Sequence, residues 1–149
     1  MQYYEDVEVG STATFGEYEV TAEEIKSFAE TYDPQPFHTD EEAAAESMFG
    51  GLVASGWHTM AMCMRLTAER PDALAALAGV AADNLRWVNP VRPGDRLSLR
   101  TEVIEKRPSS SHEDRGYVTT HVEAVNQDGE TVVRFDATAL VKRRSYDDQ

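Results

Sequence analysis

The chain has 149 residues, one cysteine and a formal net charge of −13, with 27 Asp plus Glu against 14 Lys plus Arg. That length fits a single domain, residues 1–149, burying roughly two-thirds of its unfolded surface. The lone Cys63 excludes an internal disulfide, no apolar run reaches the ~18 residues of a membrane span, and so acidic a surface is unsuited to nucleic acid, whose phosphates need a basic stripe.

The N-terminal "MQYYEDVEVG" carries acid where a secretory signal needs a basic flank and an apolar core, so a cytoplasmic protein is expected. Lys26, Lys106 and Lys142 are its only lysines against eleven arginines, and an acidic, lysine-poor surface suits a high-salt cytoplasm, where self-repulsion is screened. A first strand is expected near "TATFGEYEV". Thr21 and Glu24 then form a capping-box pattern opening the helix "TAEEIKSFAETY", with Ile25 and Phe28 on one face. It should stop at Tyr32 or Asp33, because a residue before proline avoids helical dihedrals.

Residues 33–55 read as broken structure, with a helical turn at "EEAAAESMF" capped by Asp40 and a small-residue loop at "GGLVASG". The stretch "WHTMAMCMRLTAER", residues 57–70, has apolar residues on more than one stripe, which predicts a helix enclosed on most sides and ended by Pro71. Cys63 and the methionines 60, 62 and 64 read as its core packing, with the methionines also able to line an acyl tunnel. Four strand-like segments follow, "NLRWVNP", "RLSLRTEVIEK", "GYVTTHVEAVN" and "TVVRFDATALVKR". "NPVRPGD" marks a turn-rich break, "NQDGE" a hairpin turn in which Gly129 takes a positive φ, "RPSSSHEDRG" a polar mobile loop and "SYDDQ" a frayed tail. Helices early and antiparallel strands late predict an α+β domain with its sheet curled around the buried helix.

Within the broken region, "YDPQPFHTD" sets Asp33 and His38 five residues apart with two prolines between them. An extended proline-rich segment of that length spans about 16 Å, so the pair can share one water only if the segment turns. Gly56 stands just before the apolar helix, where backbone N–H groups and the helix dipole favour an anion or a developing oxyanion. His58 reads as a core or interface histidine, while His112 and His121 have no identifiable partner. A zinc site from His38, His58 and a carboxylate lacks any recognised ligand spacing.

These segments resemble the MaoC-like dehydratases, near the (R)-specific enoyl-CoA hydratases of the hot-dog fold. The resemblance rests on "DPQPFHTD", where Asp33, Pro36, His38 and Asp40 match the hydratase motif, on "GGLVASGWHTMAM", and on "NPVRPGDRLSL". Tyr32 replaces the family's usual Gly, Gln35 its Asn and Phe37 its aliphatic residue, and Met64 stands where such hydratases often carry a Ser.

The resemblance implies a hydro-lyase acting on a 2-enoyl-CoA, without a cofactor, to give the (R)-3-hydroxyacyl-CoA. Asp33 and His38 would be the acid–base pair and Gly56 the oxyanion donor. Phe37, Ser55 and Trp57 would lie along the acyl group, with the bulk of Phe37 and Trp57 pointing to short substrates. Arg86 and Arg92 would meet the phosphates of coenzyme A or form surface salt bridges. A homodimer or dimer of dimers is expected, with the site near the interface. Two alternatives stand: a thioesterase, disfavoured because the central helix offers no acid before Glu69, and a non-catalytic acyl-thioester-binding subunit.

Overall fold

β-Branched alternation in the second half of the chain produces three long antiparallel strands, an alanine-rich segment ahead of them pairs as a fourth, and a fifth comes from near the N-terminus. The computed structural model describes residues 1–144, so the expected frayed tail lies outside the described residues. Strands β1 (Thr12–Glu19), β2 (Ala76–Trp87), β3 (Arg96–Pro108), β4 (Arg115–Val125) and β5 (Thr131–Lys142) form one sheet. Its order is β1-β3-β4-β5-β2, with every neighbouring pair antiparallel. The helices α1 (Ala22–Tyr32), α2 (Pro36–Thr39), α3 (Glu41–Glu46) and α4 (Gly56–Glu69) all precede β2. The architecture is the α+β hot-dog arrangement anticipated from the sequence.

The core lies between α4 and the inner face of the sheet. Ile25 of α1 and Met62, Cys63 and Leu66 of α4 pack with Leu97, Leu99, Val122, Ala124, Val133 and Phe135 of the strands. Fully burying a leucine or isoleucine stabilises by about 1.5–3 kcal/mol, and Ile25, Leu97 and Leu99 are at most 1% exposed. Burial pushes the Cys63 thiol up to about 12, so it packs as an inert core group. A smaller cluster of Tyr4, Val7, Val118 and Val141 closes the other end. The "NQDGE" turn forms as expected: the Gly129 amide donates to the Asn126 carbonyl with φ at +78°.

Four expectations need correction. β2 begins at Ala76, eight residues ahead of the expected strand, and ends at Trp87. The "RPSSSHEDRG" segment is a loop only over 109–114, organised by the Ser109 hydroxyl, because its two ends join the ladder: Arg107 pairs with Tyr117 and Pro108 with Gly116. Helix α4 is enclosed on one side only, with Trp57, Ala61 and Met64 exposed, so Met62 is the one fully buried methionine of the expected three. At the start of α1, Thr21 accepts from the Glu24 amide, but the Glu24 carboxylate turns away to Tyr18 and His58.

Candidate active site

Helix α1 ends where Pro34 forbids its continuation, and Asp33 is left as the capping residue at φ −152°. Pro36 then occupies the first turn of α2, where its missing N–H costs nothing. That single turn reverses the chain and brings His38 back, placing Nε2 3.4 Å from Asp33 Oδ2. The two prolines thus end one helix and start the next, which is how a five-residue spacing becomes a contact.

Both groups are fixed from behind. His38 is buried, and its Nδ1–H donates to the Val53 carbonyl at 2.7 Å. Because a carbonyl only accepts, this bond assigns the proton of the neutral ring to Nδ1 and leaves the Nε2 lone pair facing Asp33. Asp33 accepts from Ser55 Oγ at 2.7 Å and from Gln35 Nε2 at 2.7 Å. Burial acts to raise the Asp33 pKa, but the hydrogen bonds from Ser55 and Gln35 and the nearby imidazole outweigh it and hold the carboxyl below its ordinary value. Asp33 is therefore ionised at neutral pH.

Ser55 is fully buried and links this pair to α4. Its Oγ also accepts from the Trp57 amide at 3.3 Å, so one hydroxyl caps α4 and braces the carboxylate. The Gly56 amide, at the first helical position, has no backbone acceptor among the described residues and is free to donate. A side chain at Gly56 would force the Trp87 indole to shift, since a Cβ would stand 2.4 Å from its atoms.

The structure brings Asp33, His38, Ser55, Gly56, Phe37 and Trp57 into one neighbourhood. The ring of Phe37 meets His38 edge-on at 4.5 Å and Phe49 at 5.4 Å. Asp40 caps α3 through the amides of Glu42 and Ala43, as expected. Arg92 forms no salt bridge among the described residues; its Nη2 donates to the Phe49 carbonyl at 2.7 Å and ties two loops together. Arg86 lies exposed on β2 beside Trp87 without an ion pair among the described residues.

The remaining histidines have partners that spacing could not show. His58 is buried, stacked on Phe28 at 4.6 Å, with Nε2 2.9 Å from Glu24 Oε1 and Nδ1 without a partner among the described residues. His121 meets Asp136 across the β4–β5 ladder at 2.7 Å, and His112 meets the Ser111 hydroxyl at 3.0 Å. A groove of about 600 Å³ runs between α1 and α4 past Tyr18, Glu24, Phe28 and His58, yet neither Asp33 nor His38 lines it. Sequence reasoning missed Gln35 and Val53 as supports and Trp87 as the cover of Gly56. Only Gln35, two residues from Asp33 in a proline-rich turn, offered a signal.

A family model described as MaoC like domain matches residues 6–127. A MaoC-like dehydratase from Rhodospirillum rubrum is 46% identical, with a TM-score of 0.91 over 97% of this chain and 99% of its own. The 3-hydroxybutyryl-CoA dehydratase of Methylorubrum extorquens is 30% identical over 133 residues, covering 89% of this chain and 83% of its own. The unliganded (R)-hydratase of Pseudomonas aeruginosa is 26% identical, with a TM-score of 0.74 over 95% of this chain and 86% of its own.

Proposed function

Since the chain belongs to the MaoC-like dehydratase family, we propose that it is a hydro-lyase that reversibly hydrates a 2-enoyl-CoA to the (R)-3-hydroxyacyl-CoA. The observation that carries this reading is the Asp33–His38 pair, with Nε2 and Oδ2 3.4 Å apart and each anchored on its far side. Both facing atoms are acceptors when Asp33 is ionised and His38 neutral. A water seated beside the pair and bridging both atoms donates both its hydrogens, leaving its lone pairs free to attack.

In the forward step the water oxygen forms a bond to C3 and passes one proton to the pair. The electrons of the C2–C3 double bond move onto the thioester oxygen, which the Gly56 amide and the α4 dipole stabilise. Return of that proton to C2 completes the addition of one water, with no net redox change and no cofactor. The acyl group arrives as a coenzyme A thioester.

The open flank of α4 and the uncovered strand β2 support a second copy of the chain completing the acyl site. The two other readings have less support. The first acid of α4, Glu69, lies at its last position in a pair with Arg65, far along the helix from Gly56. An inactive binder would have no use for an anchored acid–base pair. Incubation with crotonyl-CoA tests the proposal: loss of the conjugated absorbance without release of thiol is expected. Thiol release without hydration, or binding without turnover, would overturn it.

A further inference from the structure

The chain has two tryptophans, and both stand at the start of α4. Trp57 is the second residue of that helix, and Trp87 reaches it from the last position of β2. Their rings meet edge to face, with centroids 5.1 Å apart and planes at 81°. Trp87 covers Gly56 so closely that no Cβ fits between them. Even so, 59% of Trp57 and 46% of Trp87 remain exposed. Large aromatic side chains gain most from burial, so two of them left half uncovered beside an anchored acid–base pair mark a surface made to be covered.

The chain order says by what. Val53 holds His38, Ser55 holds Asp33, and Gly56 lies under Trp87, so three consecutive functions fall within four residues. A thioester oxygen bound at the Gly56 amide places C2 and C3 toward Asp33 and His38. Trp87 is the side chain in contact with Gly56, so its ring lies beside an acyl thioester held there.

We propose that Trp87 is a specificity-determining residue whose exposed ring forms the wall of the acyl site and limits it to short chains. This rests on the enoyl-CoA reading above. An indole offers apolar contact to a short alkyl group and blocks a longer one. Discrimination by an apolar pocket is worth roughly 10–200-fold per methylene-sized change, which sets the size of effect to seek.

The test uses the full chain with trans-2-enoyl-CoA substrates of four and eight carbons. Trp87→Ala should raise kcat/KM for the longer substrate relative to the shorter by roughly tenfold or more, and Trp87→Phe should keep the original preference. Binding has its own readout, since Trp57→Phe leaves Trp87 as the sole indole. Its emission should respond to saturated butyryl-CoA, which cannot be hydrated, and much less to free coenzyme A. An unchanged chain-length ratio in an active Trp87→Ala enzyme would overturn the proposal. So would emission that follows subunit dissociation on dilution but ignores butyryl-CoA. If Trp87→Ala does not fold, the emission titration still decides. Absence of turnover in the unmutated protein would instead defeat the enoyl-CoA reading, while the emission response would still show whether Trp87 meets an acyl thioester.

Discussion

At Asp33 and His38 the side chains face each other 3.4 Å apart, close enough for one water beside them to reach both, and each depends on a bond behind it. Asp33→Asn and His38→Gln should each lower crotonyl-CoA hydration by several orders of magnitude with the fold retained. The double variant should be little worse than either single one, because groups acting as a unit lose function non-additively. Steady-state kinetics with circular dichroism would check this, and near-normal activity in one single variant would remove that residue from the mechanism. Ser55 supports a separate prediction. Its hydroxyl helps hold the Asp33 pKa down, so Ser55→Ala should raise that pKa and move the acidic limb of the kcat/KM profile to higher pH. The same change removes the α4 cap and should lower stability by about 1 kcal/mol. An acidic limb at its original position would show that Ser55 does not tune the carboxylate. Asp33 and His38 could be singled out as candidates in "YDPQPFHTD", because an acid and a base with two prolines between them suggest a built loop. Their contact was not legible, since a five-residue spacing serves an extended segment as well as a turn. The partners of His121 and His58 were hidden for a related reason: each lies far away in sequence, across a ladder or between two helices.

Among the elements, β2 and the start of α4 show where local signals fail. "ALAGVAAD" favours helix by composition, and it is a strand because pairing with β5 overrides propensity. Helix α1, by contrast, starts and stops where its cap and Pro34 dictate, so both ends were readable. The contact between Gly56 and Trp87 is a tertiary fact with a direct consequence. Gly56→Ala forces a methyl into the indole, and overpacking of this kind costs about 1–3 kcal/mol. Adding Trp87→Ala should recover part of the loss, which chemical denaturation of the three variants would measure. A Gly56→Ala protein as stable as the original would mean the ring moves aside freely. The outer sheet face gives a pH-dependent prediction. The hydrogen bond from His121 to Asp136 is the leading cause raising its pKa above the ordinary 6.5, with Glu123 adding to it against desolvation. A raised histidine pKa contributes stability fully below its unfolded value, and that contribution is lost as pH rises through the folded one. His121→Gln should therefore lower Tm most below about pH 6, with the gap closing as the medium becomes alkaline. A gap independent of pH would assign the bond no electrostatic role.

For the whole molecule, the alternating second half was enough to foresee a sheet around a helix, whereas the face left uncovered could be seen only in three dimensions. Edge strand β2 is paired on one side by β5 and is exposed along nearly its whole length, including Leu77 and Val80. Trp57 and Met64 of α4 are exposed as well. The open edge is apolar from Ala76 to Ala82, ahead of Asp83 and Arg86, and such a stretch is a template for pairing that charge or proline would blunt. Two copies related by a two-fold axis satisfy both requirements, joining edges into one sheet and covering the flank of α4. Each copy carries −13, so association brings together like charges that water alone screens poorly. At 0.01 M salt the screening length is about 30 Å and the repulsion is felt across the subunits; near 1 M it is about 3 Å and only contacts remain. A dimer of this kind should therefore tighten as salt rises, and hydration should follow it if the proposed acyl site lies beside the uncovered face. Val80→Lys, which places charge on the edge, should give monomer and lower activity at every salt concentration. Sedimentation with parallel crotonyl-CoA assays over a salt series checks both effects. A compact, fully active monomer of 16.6 kDa at high salt would show that one chain suffices.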